Sequence, residues 1–189
     1  MTMRTETIRY LSQEELKTLL KQAKNKRDKA LIFLAYSYGL RASEVGLLRR
    51  EDIDFERMKI RIHRLKNSIS SEYPLRPEAA KLLKSYLRTR KDNSPILFPS
   101  RRGFPINRRT LYNMIQRYAK QAKIPRSKRY FHVLKHSIAV HLLEAEMDIM
   151  FVKDWLGHKN IQNTMVYAQL TSRTRDELAR KAFASPRIV

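Results

Sequence analysis

The run Ala30-Leu31-Ile32-Phe33-Leu34-Ala35 leaves the chain less freedom than any other stretch. It sits in a segment of helical length, from about Arg27 to Tyr38, and is apolar nearly all round. A helix with no polar face must be covered on every side. At this length it falls short of the ~20 residues a membrane span needs, so neighbouring helices have to do the covering. Ser12 and Glu15 form a capping box that opens a helix from Gln13 to Ala23, with Leu16, Leu19, Leu20 and Ala23 on one face. Pro77 starts another, through about Arg88, that turns Ala79, Leu82, Leu83, Tyr86 and Leu87 inward. Asn107 caps a helix from Arg108 to Lys123, with Leu111, Met114, Ile115 and Tyr118 facing the core. Further helices are expected from about His132 to Glu144, Ile149 to Leu156, Ile161 to Ala168 and Ser172 to Phe183.

One region breaks the helical period. Ile60 and Ile62 alternate with Arg61 and His63, the pattern of a strand with one buried face. Lys66-Asn67-Ser68 is turn material and Glu72 to Leu75 a return strand, which puts Lys66 near a hairpin tip. The stretch from Thr89 to Asn107, with Pro95, Pro99, Gly103 and Pro105, reads as an irregular connection anchored by Ile96, Leu97 and Phe98. The expected class is mainly α with a small antiparallel β-sheet (α+β). Residues 1-189 read as a single domain, with 1-11 a polar lead and 172-189 a C-terminal helix and tail.

Forty Lys and Arg against 18 Asp and Glu leave a net charge of +22, spread along the chain from Lys17 to Arg187. Such a surface repels itself until it meets a polyanion, and nucleic acid is the leading partner. A ribosome-associated or merely solubilised basic surface is the alternative. The chain has no cysteine, which excludes disulfides and thiolate zinc sites. No membrane span or signal-peptide core is visible, so a soluble protein of the cytoplasm, associated with the nucleoid, is expected.

Several residues carry chemistry. Arg41 falls at the start of a short helix, where free amides and the positive dipole end suit a phosphate. His132 and Lys135, three residues apart on a helix, can serve one anion together. Gly157 is a helix stop that leaves His158 just outside. A metal clasp at His132 and His136 lacks the glutamate of the zinc-peptidase pattern, since Val133 follows the first histidine. Asp148 and Asp154 do not form a two-metal carboxylate set. His136 and His141 are expected as packed or capping residues.

Four separated segments stand in a telling order: GLRASEVGLL around Arg41, the hairpin with Lys66, FHVLKHSIAVHLL around His132, and LGHKNI with His158 followed nine residues later by Tyr167. In these pieces the chain resembles the tyrosine recombinases of the phage integrase family over nearly all of its length. The hairpin IHRLKNSISSEYPL and the segment GLRASE look especially like the short invertases of the type 1 fimbrial phase switch, which lack an N-terminal core-binding domain. The resemblance implies site-specific cutting and rejoining of double-stranded DNA through a 3′-phosphotyrosine, with no cofactor, metal or ATP. It implies Tyr167 as nucleophile, His132 as proton acceptor, Arg41, Lys135 and His158 on the phosphate oxygens, Lys66 as acid for the leaving 5′-oxygen, and Glu44 as a brace. It also implies a tetramer on DNA, with the C-terminal helix docking either on a neighbouring protomer, as in relatives, or on its own domain. Accessory DNA-bending proteins are not specified by any motif. A DNA-binding regulator or architectural protein of the same fold, with weak or no catalysis, is the rival reading.

One departure stands out. The family usually has arginine where this chain has Lys135, and an ammonium cannot fork two hydrogen bonds onto a phosphate. The loss amounts to about 1–3 kcal/mol of transition-state stabilisation unless another group compensates. For the duplex itself, Arg108, Arg109, Arg117, Lys120, Arg126, Lys128 and Arg129 form the expected basic surface. With binding carried by phosphate contacts, affinity for a duplex should fall by roughly 10³-fold or more between 50 and 200 mM salt. A fluorescence-anisotropy titration across that range checks it, and a flat salt dependence would contradict the phosphate-based reading.

Overall fold

The computed structural model describes residues 8–65, 68–168, 170, 180, 183 and 184. Among the described residues there are eight α-helices and a three-stranded sheet: α1 (Gln13–Gln22), α2 (Lys26–Ser37), α3 (Ala42–Val45), α4 (Pro77–Leu87), α5 (Arg108–Gln121), α6 (Val133–Glu144), α7 (Ile149–Trp155) and α8 (Gln162–Ala168). The strands are β1 (Ile53–Asp54), β2 (Lys59–Ile62) and β3 (Ser71–Pro74), in the order β1-β2-β3. Both pairs are antiparallel, with Ile53 opposite Ile60 and Ile60 opposite Tyr73, so these three side chains share the face turned to the core. The expected class holds. The expectations for residues 1–7 and most of the 172–183 helix lie outside the described residues.

Helix α2 is the central element that its composition requires. Ala30, Leu31, Ile32, Leu34 and Ala35 are all buried, and α2 packs against α4 and α6. Phe33 is the partly open member, and the Arg76 guanidinium lies 5.1 Å from its ring centre. The start of α1 carries the anticipated capping box, in which Ser12 and Glu15 satisfy each other's free amides. Asp28, buried near the start of α2, accepts from Tyr118 Oη at 2.9 Å and Arg117 at 3.2 Å, which ties α5 to the central helix.

Two details differ from the sequence reading. Strand β1 was not anticipated; two residues carry too little alternation to show a period. The irregular 89–107 connection has more order than its prolines suggest. Leu97 donates to Leu48 O at 2.9 Å and Arg50 to Pro95 O at 2.8 Å, so the segment pairs with the chain after α3. Beneath it Phe98 is fully buried and stacks on Tyr86.

The end of α2 positions the site. Gly39 has φ +55°, and a Cβ there would lie 2.6 Å from Leu156 Cδ2. Any side chain at this turn would therefore be strained in backbone and in contact, between α2 and the end of α7. Gly39→Ala should destabilise the fold by about 2–4 kcal/mol. A lowered urea midpoint with an unchanged m-value is the expected observation.

Candidate active site

The site is assembled around Glu44. Its carboxylate, 1% exposed, accepts from the Arg41 guanidinium at 2.7 Å, the Arg41 amide at 2.9 Å and Arg64 at 3.1 Å. Burial works to raise its pKa, but the Arg41 amide, the Arg64 charge and the Arg41 side chain outweigh this and hold it below its usual value. Arg41 is the N-cap residue of α3, as its place in the sequence implies, and it keeps part of its side chain open. It also donates to Ser68 Oγ at 2.9 Å, across from the hairpin. Lys66 itself lies outside the described residues. Its flanks are anchored to the same cluster, with the Leu65 amide 3.4 Å from Glu44 Oε1 and Ser68 on Arg41.

His132 is the N-cap residue of α6 and shares an open cleft of about 390 Å³ with Arg41, Arg108, Tyr112 and Tyr130. Part of its ring reaches the surface, yet loss of water around it, with the charges of Lys135 and Arg41, lowers its pKa to about 4. Lys135 is 1% exposed and donates to Leu156 O at 3.0 Å, so its ammonium points at the end of α7 and away from the cleft. Burial, then Arg64 and Arg41, push its pKa well below the ordinary lysine value.

His158 follows from the way α7 ends. Gly157 adopts φ +66°, the Gly157 amide donates to Asp154 O and the His158 amide to Lys153 O, which is a Schellman closure. The histidine emerges buried, with Nδ1 3.0 Å from Thr164 Oγ1 of α8. Burial and the charges on Lys135, Arg41 and Arg64 lower its pKa to about 3. Tyr167, also on α8, is 3% exposed, and burial pushes its pKa up to about 12.

Two participants escaped the sequence reading. The hydroxyl of Tyr167 shares a 2.9 Å hydrogen bond with His136 Nδ1, so His136 is more than a packed residue. Its partner comes 31 residues later in the chain, a distance that no local pattern reports. His141 does pack, hydrogen-bonded to Tyr36 at 2.9 Å. The second is Arg64, whose side chain is wholly buried against Glu44. A signal for it existed: strand parity from Ile60 and Ile62 turns position 64 inward, where a cation needs acceptors.

The expected DNA-facing residues divide by environment. Arg108, Arg109, Arg117, Lys120 and Arg126 are exposed, and Arg108 borders the cleft beside Arg41. Arg117 is held by Asp28, Lys128 pairs with Glu15 at 2.7 Å, and Arg129 Nε donates to Ile124 O at 2.6 Å. The latter three spend donors inside the protein. Among the described residues no helix is long and apolar enough to cross a membrane.

The histidines set a pH response. An unfolded chain has histidine pKa values near 6.5, whereas His132, His136 and His158 sit at about 4, 4 and 3 in the fold. As pH falls below ~6.5 the unfolded state takes up protons first, so the stability held above that pH is lost progressively toward pH 4 and 3. Between pH 6.5 and 5 the urea midpoint should therefore drop, before Glu44 begins to contribute. In His158→Gln the drop should be shallower, measured at constant ionic strength.

Comparison with known proteins identifies the family. The model of the phage integrase family matches residues 9–173. The tyrosine recombinase XerA of Pyrococcus horikoshii is 33% identical over 91% of this chain, which spans 60% of that protein's length. The type 1 fimbriae regulatory protein FimE of Escherichia coli K12 is 32% identical over 84% of both chains. A crystal structure of XerA recombinase superposes with a TM-score of 0.76 at 28% identity, covering 98% of this chain and 66% of that one. A XerH recombinase bound to a palindromic difH substrate has the same fold, with a TM-score of 0.78 at 23% identity over 95% of this chain and 54% of that one. With its ordered motifs, its matching fold and a family match that spans most of its length, this chain belongs to the phage integrase family.

Proposed function

We propose that the protein is a site-specific recombinase that cuts and rejoins duplex DNA without metal or ATP. The observation that carries the reading is the convergence of residues from three distant segments. Arg41 and His132 line one open cleft; behind it Glu44 holds Arg41, Lys135 reaches Leu156 O at the turn that presents His158, and His158 bonds Thr164 on the helix that carries Tyr167. Resemblance to XerA and FimE supports the same chemistry, and the XerH relative bound to its DNA substrate supports a duplex as partner.

In the proposed step, Tyr167 Oη attacks the scissile phosphorus, a new O–P bond forms, and the bond to the 5′-oxygen breaks. The phenolic proton passes to His132, and Lys66 returns a proton to the leaving 5′-oxygen. A phenol near pKa 12 and an imidazole near 4 do not exchange a proton spontaneously. As the oxygen becomes an ester its basicity collapses, so transfer turns favourable only while the bond forms. Arg41 and His158 face the charge on the non-bridging oxygens, with Lys135 as a buried positive charge behind them. Rejoining runs the steps in reverse, and the phosphotyrosine conserves the ester bond.

Tyr167 is sequestered in the described state. A side chain 3% exposed and bonded to His136 cannot meet a duplex phosphate, so DNA binding has to open the α6–α8 contact. The exposed apolar residues Met150, Phe151, Met165 and Val166 on α7 and α8 support assembly with further protomers as a tetramer on DNA. The activity belongs with the chromosome, in the cytoplasm.

A suicide duplex nicked near the cleavage point tests the reading. Wild-type protein should form a covalent adduct resolved by denaturing electrophoresis, and Tyr167→Phe should form none while binding the duplex with unchanged affinity. Duplex binding with no adduct from the native chain would favour the regulator reading.

A further inference from the structure

Arg64 carries a second layer of the site. It follows β2, its side chain is wholly buried, and no DNA can touch it. Its guanidinium makes four hydrogen bonds, to Tyr38 O at 2.6 Å, Gly39 O at 3.1 Å, Trp155 O at 3.1 Å and Glu44 Oε2 at 3.1 Å. These acceptors belong to the end of α2, the end of α7 and the brace of Arg41. One planar group thus joins the segment that carries Arg41 to the segment that carries His158.

The hairpin is fixed to the same turn by its backbone. Ile69 donates to Gly157 O at 3.2 Å, and Ser68 bridges to His158. A Cβ on Gly157 would stand 3.0 Å from Ile69 O and 3.1 Å from Arg64 Nε, so the hairpin closes over this turn with no space to spare. Lys135 reaches the turn from the other side, on Leu156 O, the carbonyl next to the one that Arg64 holds. Two cations from different segments therefore grip successive carbonyls at the negative end of α7, immediately before Gly157 and His158.

We propose that Arg64 is a positioning residue of the cleavage site, holding Glu44 and Arg41 in register with the turn that presents His158, a task it shares with Lys135. The ammonium at 135 grips one carbonyl, and the fork it lacks is supplied from the hairpin. Phosphate donors act only when held close to their productive geometry, so the rate, and not duplex affinity, depends on Arg64. The inference rests on the recombinase reading, and its test has one arm that does not.

Arg64→Lys keeps the charge and loses the fork. Its duplex affinity should stay within threefold of the native value, while adduct formation on a saturating suicide duplex slows 30- to 300-fold. Adding Lys135→Arg restores a guanidinium within reach of the Leu156 and Trp155 carbonyls and should recover at least tenfold of that loss. In hydrogen exchange without DNA, peptides covering 68–70 and 154–158 should lose protection together in Arg64→Lys and regain it in the double variant, with α2 and α6 unchanged. Cleavage by Arg64→Lys within threefold of the native rate overturns the proposal. So does a slow variant that Lys135→Arg leaves slow, or a rate loss that merely follows the folded fraction in a thermal melt. If the native chain forms no adduct, the recombinase reading fails, and unchanged exchange in Arg64→Lys then overturns the positioning role separately.

Discussion

A buried carboxylate organises this protein. Glu44 is almost inaccessible to water and would be costly to bury alone; Arg41 and Arg64 make it tolerable by surrounding it with donors. The same bonds make it a joint. Through Arg41 it reaches the open cleft and Ser68, and through Arg64 it reaches the ends of α2 and α7. Breaking such a pair leaves an uncompensated charge in the interior, so the network is held together and its geometry is shared by every residue attached to it.

The cluster is also unbalanced. Arg41, Arg64 and Lys135 face a single carboxylate, and the surplus positive charge pushes down the pKa values of His132 and His158 beyond the effect of burial. An anion entering this space relieves the repulsion among the cations and favours protonated imidazoles. Under the proposed function, a DNA phosphate is the anion that supplies that charge. The unbound site is thus an electrostatic demand that the +22 surface of the chain helps to satisfy by drawing in a polyanion. Tyr167, neutral and tucked against His136, stays apart from this demand in the described state.

Much of this was legible from residue order. The apolar run of α2 announced a central helix because no other fate suits a helix without a polar side. The capping box at Ser12, the Asn107 cap of α5 and the Gly157 stop of α7 are local devices, read within four residues. Arg41 and His158 owe their placement to such devices, one at a helix start and one after a helix end. The hairpin was legible from its period, and Arg64 was legible in principle from the same parity. What no local pattern carries is its acceptors, Tyr38 O, Gly39 O and Trp155 O, which come from distant segments of the chain.

The sequence by itself determined the helices, the hairpin, the family motifs and the basic character, since each depends on near neighbours or on composition. Only the tertiary structure decided the partners. It brought His136 to Tyr167, aimed Lys135 at Leu156 O, and placed Arg64 among carbonyls from two helix ends. It also divided the expected basic surface, tying Arg117 to Asp28 and Lys128 to Glu15 while Arg108 stayed open beside the cleft. The reason is physical. A hydrogen bond is satisfied by whichever acceptor packing delivers within about 3 Å, and that acceptor is chosen by the way helices cross, which no local spacing encodes.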